Sequence, residues 1–155
     1  MNAKKNQKPR KNGNRVSSIR TIALIAHDGK KVDIVSWATA NVERLKKFRL
    51  IATATTGKLL KEKVGLRVKT LLSGPEGGDV QIASLAAEGK VNAVFFFMDP
   101  LDAHPHDPDI RAVMRVCNVH NIPFASNLAT ASLFIGIKDF LLSSKQPARG
   151  YPLQS

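Results

Sequence analysis

From Ile19 onward, short β-branched and apolar runs alternate with stretches whose apolar residues recur every three or four positions. Ile19–Ala26 (IRTIALIA) reads as a strand that ends at His27-Asp28-Gly29. Lys30–Lys47 follows as an amphipathic helix, with Val32, Val35, Ala38, Val42 and Leu45 on one stripe. The same reading gives a strand at Leu50–Thr53, a helix at Gly57–Val64 closed by Gly65, and a strand at Val68–Leu72. Ser73–Gly78 is a loop, and Asp79–Glu88 a helix ended by Gly89. Val91–Met98 is nearly all apolar, as a strand covered on both faces should be. Asp99–Pro108 is a loop, Asp109–His120 a helix, Ile122–Ala125 a last strand, and Thr130 opens a final helix. Strands alternating with helices at this spacing predict an α/β fold: a single doubly wound domain with a central parallel sheet and helices on both faces.

Such sheets bind ligands beyond the carboxyl ends of their strands, and the polar clusters of this chain fall there. His27-Asp28 follows the first strand, Thr53–Gly57 the second, Ser73–Asp79 the third, Asp99–Asp109 the fourth and Asn127–Thr130 the fifth. Six aspartates (Asp28, Asp79, Asp99, Asp102, Asp107 and Asp109) belong to these segments, so the rim is the expected site.

Thr53-Ala54-Thr55-Thr56-Gly57 sets three hydroxyls at a strand-to-helix turn, where helix amides and hydroxyls together suit a phosphate. Capping by Thr55 or Thr56 is the plainer alternative. Ser73-Gly74 with Gly77-Gly78 makes a second turn of this kind, and its glycines let backbone approach a ligand. No Gly-Lys-Ser/Thr follows, so it is not a P-loop. Lys30 or Lys31 would bring an ammonium beside these turns. Asp79 reads either as a helix cap or as a general base aimed into a concave site. Between Asp99 and Asp109 lie two histidines and four carboxylates in eleven residues. Metal ligation would need a further cluster that only His27 could supply, whereas acid-base work needs one imidazole and one carboxylate. One of Asp107 and Asp109 is expected to cap the helix that starts there. Trp37 and Phe95-Phe96-Phe97 read as core.

Charge and composition refine this picture. The 155 residues carry net charge +12, but residues 1–20 hold seven basic groups and no acidic one, leaving 17 against 12 over the rest. Residues 1–18 lack apolar periodicity and are expected to be a disordered basic tail preceding a domain at 19–155. Nucleic acid is not an expected partner except through that tail, because only 6% of the chain is aromatic and the folded part has no basic-aromatic interleaving. No apolar run approaches the length of a membrane span, and Val91–Met98 is broken by Asn92. No secretory leader is visible, and the lone Cys117 fits a reducing compartment, so a cytoplasmic protein is expected.

The order of these segments resembles bacterial methylglyoxal synthases. The likeness runs through Ala26-His27-Asp28, Ala52–Gly57, Ser73–Asp79, Phe97–Leu101, Pro105-His106-Asp107-Pro108-Asp109, Asn121-Ile122-Pro123 and Asn127–Thr130. The resemblance implies a carbon-oxygen lyase that turns dihydroxyacetone phosphate into methylglyoxal and inorganic phosphate, as a homohexamer with no metal and no cofactor. It implies that Asp79 removes the C3 proton, that His106 polarises the carbonyl and enediol oxygens, and that His27 contacts the substrate. Asp28, Asp99 and Asp109 would support charge and orientation. Lys31, Thr53, Ala54, Thr55, Thr56, Ser73 and Gly74 would hold the phosphate. The chain departs from the family pattern after Thr130: Ala131-Ser132-Leu133 follows, no Ser-Pro occurs, and Arg149 is the one arginine beyond Arg115. The competing reading is a non-catalytic phosphate-ligand-binding regulatory domain on the same scaffold.

Overall fold

A computed structural model of the chain describes residues 19–101 and 107–137, with side chains for all of these except 107–109. Five strands are described: β1 (Thr21–Ala26), β2 (Arg49–Ala52), β3 (Val68–Thr70), β4 (Ala93–Phe97) and β5 (Phe124–Ala125). They form one parallel sheet in the order β3-β2-β1-β4-β5. The chain thus winds outward from β1 in one direction and then, from β4, in the other, as the alternation of elements predicts.

Each inner strand feeds two cores because successive side chains point to opposite faces. Ile22, Leu24 and Ala26 join Phe95 and Phe97 beneath α1 (Lys31–Ala40), α2 (Val42–Leu45) and α6 (Leu128–Gly136). Ala23 and Ile25 join Val94 and Phe96 on the other face, beneath α4 (Gly78–Ala87) and α5 (Asp107–Val119). Trp37 is core, as its position predicts. Its ring meets Phe97 edge-on at 5.3 Å and Phe95 at 6.0 Å, and its Nε1–H donates to Ser132 Oγ at 2.9 Å.

Most boundaries shift by one or two residues from the sequence reading, and three differ in kind. The expected helix 30–47 is broken at Asn41, whose side-chain amide donates to the Trp37 carbonyl at 2.8 Å. A short polar side chain competing for helix carbonyls is a local alternative that apolar spacing does not register. The expected helix at Gly57 begins earlier, as α3 (Ala54–Leu59), and passes into a π-helical turn at Leu60–Val64 that Gly65 ends at φ 75°. α5 begins at Asp107, so Asp107 and Asp109 lie within the helix, not before it as the expected cap would.

Candidate active site

The strand order reverses between β1 and β4, and the residues that follow these two strands meet there. His27 N–H donates to the Phe97 carbonyl at 3.1 Å, and Asp99 N–H donates to His27 Nδ1 at 3.0 Å. A nitrogen that accepts a backbone N–H carries no proton, so neutral His27 is the Nε2–H tautomer, with Nε2 as its donor. The imidazole stands edge-on to Phe96 at 5.2 Å, which fixes its plane. Asp99 is half-buried, and its Oδ1 accepts from Leu101 N–H at 3.1 Å. Its carboxylate lies where a β-carbon on Gly29 would sit, so the approach of Asp99 depends on that glycine.

Lys31 is the first residue of α1 and turns inward. Its ammonium donates to the Ala26 carbonyl at 2.6 Å and to Thr56 Oγ1 at 2.8 Å, tying the end of β1 to the start of α3. An ammonium has three N–H donors, and among the described residues these two bonds leave one for a ligand oxygen. Burial lowers the Lys31 pKa from the usual 10.5, and the nearby Asp28 charge partly opposes that shift. Lys30 instead pairs with Asp33 at 3.0 Å on the surface.

The three threonine hydroxyls of the second turn have different surroundings. Thr53 is the N-cap residue of α3 but makes no side-chain cap, and its Oγ1 lies 3.4 Å from Thr56 Oγ1. Thr53 and Thr56 are buried, whereas Thr55 is exposed. Capping by Thr55 or Thr56, the plainer reading of this turn, is therefore not what α3 uses. Ala54 N–H donates to the Leu72 carbonyl at 3.1 Å, joining this turn to the next one.

After β3 the chain folds back on itself at Ser73–Gly78. Gly77 N–H donates to the Gly74 carbonyl at 2.9 Å and Gly78 N–H to the Ser73 carbonyl at 2.8 Å. Gly77 takes φ 99°, and a β-carbon on Gly78 would overlap the Leu72 carbonyl. Both positions therefore require glycine. The turn sets Asp79 in the first turn of α4 with only 5% of its surface exposed. The N-cap of α4 is Gly77, so Asp79 is a buried carboxylate and not the cap.

Sequence reasoning missed Gln81 and Glu76. Gln81 Oε1 accepts from Leu72 N–H at 2.9 Å and braces the turn. Glu76 Oε2 accepts from Ser73 Oγ–H at 2.5 Å and lies 3.4 Å from Ser73 N. The spacing Ser-x-x-Glu, that of a capping box, was the available signal. Asn127 caps α6, its Oδ1 accepting from Thr130 N–H at 2.9 Å. His104, His106 and Asp102 lie outside the described residues, as do the side chains of Asp107 and Asp109 and the whole of Arg149. A cleft of about 510 Å³ at the opposite edge of the sheet, floored by Leu45, Phe48 and Leu66, contains none of the rim residues.

Rim, strand order and buried carboxylate together define an MGS-like domain, and a family model of that description matches residues 33–126. The chain belongs to the methylglyoxal synthase family. It is 56% identical over 114 residues to a methylglyoxal synthase of Clostridium botulinum, covering 74% of this chain and 96% of that one. It is 49% identical over 131 residues to that of Hahella chejuensis, covering 84% and 81%. The crystal structure of methylglyoxal synthase from Elizabethkingia anophelis superposes with a TM-score of 0.75 at 46% identity, covering 79% of this chain and 80% of that one.

Proposed function

We propose that this chain is a methylglyoxal synthase acting on dihydroxyacetone phosphate, with Asp79 as its base. The observation that carries the assignment of the base is the buried Asp79 carboxylate, delivered to the carboxyl edge of the sheet by two obligatory glycines. Asp79 takes a proton from the hydroxymethyl carbon, and the C–H electron pair forms the carbon-carbon double bond of an enediolate. Negative charge then gathers on the former carbonyl oxygen. His106, and His27 through Nε2–H, supply donors to the enediolate oxygens; Asp28, Asp99 and Asp109 support charge and orientation around them. Lys31, Thr53, Ala54, Thr55, Thr56, Ser73 and Gly74 hold the phosphate. When the C–O bond to phosphate lies along the π system, the enediolate electrons expel inorganic phosphate; the terminal C–OH becomes the aldehyde as its proton passes to the former carbonyl oxygen, and the resulting enol tautomerises to methylglyoxal.

This reading draws support from the family relationship and from the Lys31–Thr56 contact, which puts a cation with a spare donor at the second turn. A pure anion sensor has little use for a buried carboxylate beside a phosphate clamp. We further read the protein as a cytoplasmic homohexamer with a basic tail at residues 1–18. Among the described residues no helix is long and apolar enough to cross a membrane. The decisive experiment incubates purified protein with dihydroxyacetone phosphate and measures methylglyoxal and phosphate together, with Asp79→Asn alongside. Equimolar release of both, lost in the variant, is expected. Folded protein that binds the triose phosphate and releases neither product would make it a sensor.

A further inference from the structure

We propose that Glu76 sets the phosphate affinity of this site by placing its own carboxylate on the Ser73 donors that an incoming phosphate uses. The inference rests on the reading of Ser73-Gly74 as part of the phosphate clamp. A carboxylate and a phosphate monoester both present negatively charged oxygens to N–H and O–H donors, so one set of donors serves either. Ser73 Oγ–H points at Glu76 Oε2 at 2.5 Å, and the Ser73 backbone N is 3.4 Å from the same oxygen. The occupied donors are those of the turn that delivers Asp79. These bonds also hold the Glu76 carboxyl below the usual carboxylate range, so it is an anion at neutral pH.

Glu76 is exposed, in contrast to the buried Thr53, Thr56 and Asp79 around the same rim. Its carboxylate can therefore swing into water without leaving a charge buried. Phosphate and Glu76 cannot share the Ser73 donors, because like charges at contact distance repel. Binding must release Glu76, and the cost of that release is subtracted from the affinity of every phosphate-bearing ligand. After the reaction the tethered carboxylate reclaims Ser73 and helps expel the inorganic phosphate left in the clamp. The alternative role for Glu76 is a brace, since Ser-x-x-Glu also stabilises turns by this bonding. The two roles predict opposite signs: a brace strengthens phosphate binding, and a competitor weakens it.

The test is calorimetric titration of the full chain with inorganic phosphate, comparing the wild type with Glu76→Gln, Glu76→Ala and Ser73→Ala. Glu76→Gln keeps an acceptor oxygen for Ser73 and removes the charge; Glu76→Ala removes both. The expected result is a Kd for phosphate about three- to tenfold lower in both Glu76 variants, tenfold being about 1.4 kcal/mol. The inhibition constant for phosphate should fall in parallel. Unchanged or weaker binding in Glu76→Gln, with a wild-type melting curve, overturns the proposal. If Ser73→Ala weakens binding while the Glu76 variants do not, the clamp stands and only the role of Glu76 falls. Wild-type affinity in Ser73→Ala, or no phosphate binding by the wild type, overturns the proposal through its premise. The product assay reports separately on Asp79.

Discussion

Lys31 and Lys30 are neighbours in sequence with opposite roles: one ammonium joins β1 to α3, and the other pairs with Asp33 at the surface. Lys31 opens α1 whereas Lys30 is its N-cap with non-helical backbone angles, so the two side chains leave the chain in different directions. Residue type and spacing left both open, because the choice depends on how α1 sits against the sheet; the family likeness pointed to Lys31. Lys31→Met is expected to raise KM for dihydroxyacetone phosphate at least tenfold, whereas Lys30→Met should leave it within about twofold; steady-state kinetics on both checks this. The ammonium is the binding form, so kcat/KM should fall as pH rises through a Lys31 pKa lying below the usual 10.5. A profile that stays flat beyond pH 10.5 would remove Lys31 from the clamp. Asp79→Asn keeps shape and removes the base, and positioned bases contribute about 10²- to 10⁴-fold. Its kcat should drop by that range while KM changes little, as measured by methylglyoxal release.

At the scale of elements, the central strands β1 and β4 were legible because Ile22–Ala26 and Ala93–Phe97 are unbroken apolar runs, as burial on both faces of the sheet requires. The break between α1 and α2 was not legible: Asn41 satisfies a carbonyl with its own side chain, an event of hydrogen bonding that hydrophobic spacing cannot register. The early start of α3 was hidden similarly, since Ala54-Thr55-Thr56 has no apolar stripe of its own. The turn before α4 was legible as a glycine cluster, but not which glycine was essential for which reason. Gly78→Ala is expected to cost at least about 1–3 kcal/mol, because its methyl group must displace the Leu72 carbonyl. Urea denaturation would register that loss. Activity should fall further than stability accounts for, since the same backbone aims Asp79.

Across the whole molecule, two cores share one sheet, and Phe97 is 1% exposed at the junction of β4 with the layer containing Trp37. Phe97→Ala should therefore destabilise the fold by about 3–5 kcal/mol in equilibrium unfolding. On the other face Cys117 is buried in α5, where burial pushes its thiol up to about 11. It should resist a thiol reagent at pH 8 in the native protein and react at once in denaturant; native labelling would mean α5 opens readily. The sequence by itself determined the alternation of strands and helices, the parallel sheet, the polar rim and the family likeness. Each of these is carried by residues close together in the chain, whose spacing and chemistry survive without knowledge of contacts. The tertiary structure alone decided that Lys31 meets Thr56 25 positions away, that Asp99 fixes the tautomer of His27 72 positions away, and that Asp79 is buried. Those outcomes depend on strand order and helix rotation, which arise only when distant segments pack and exclude water together.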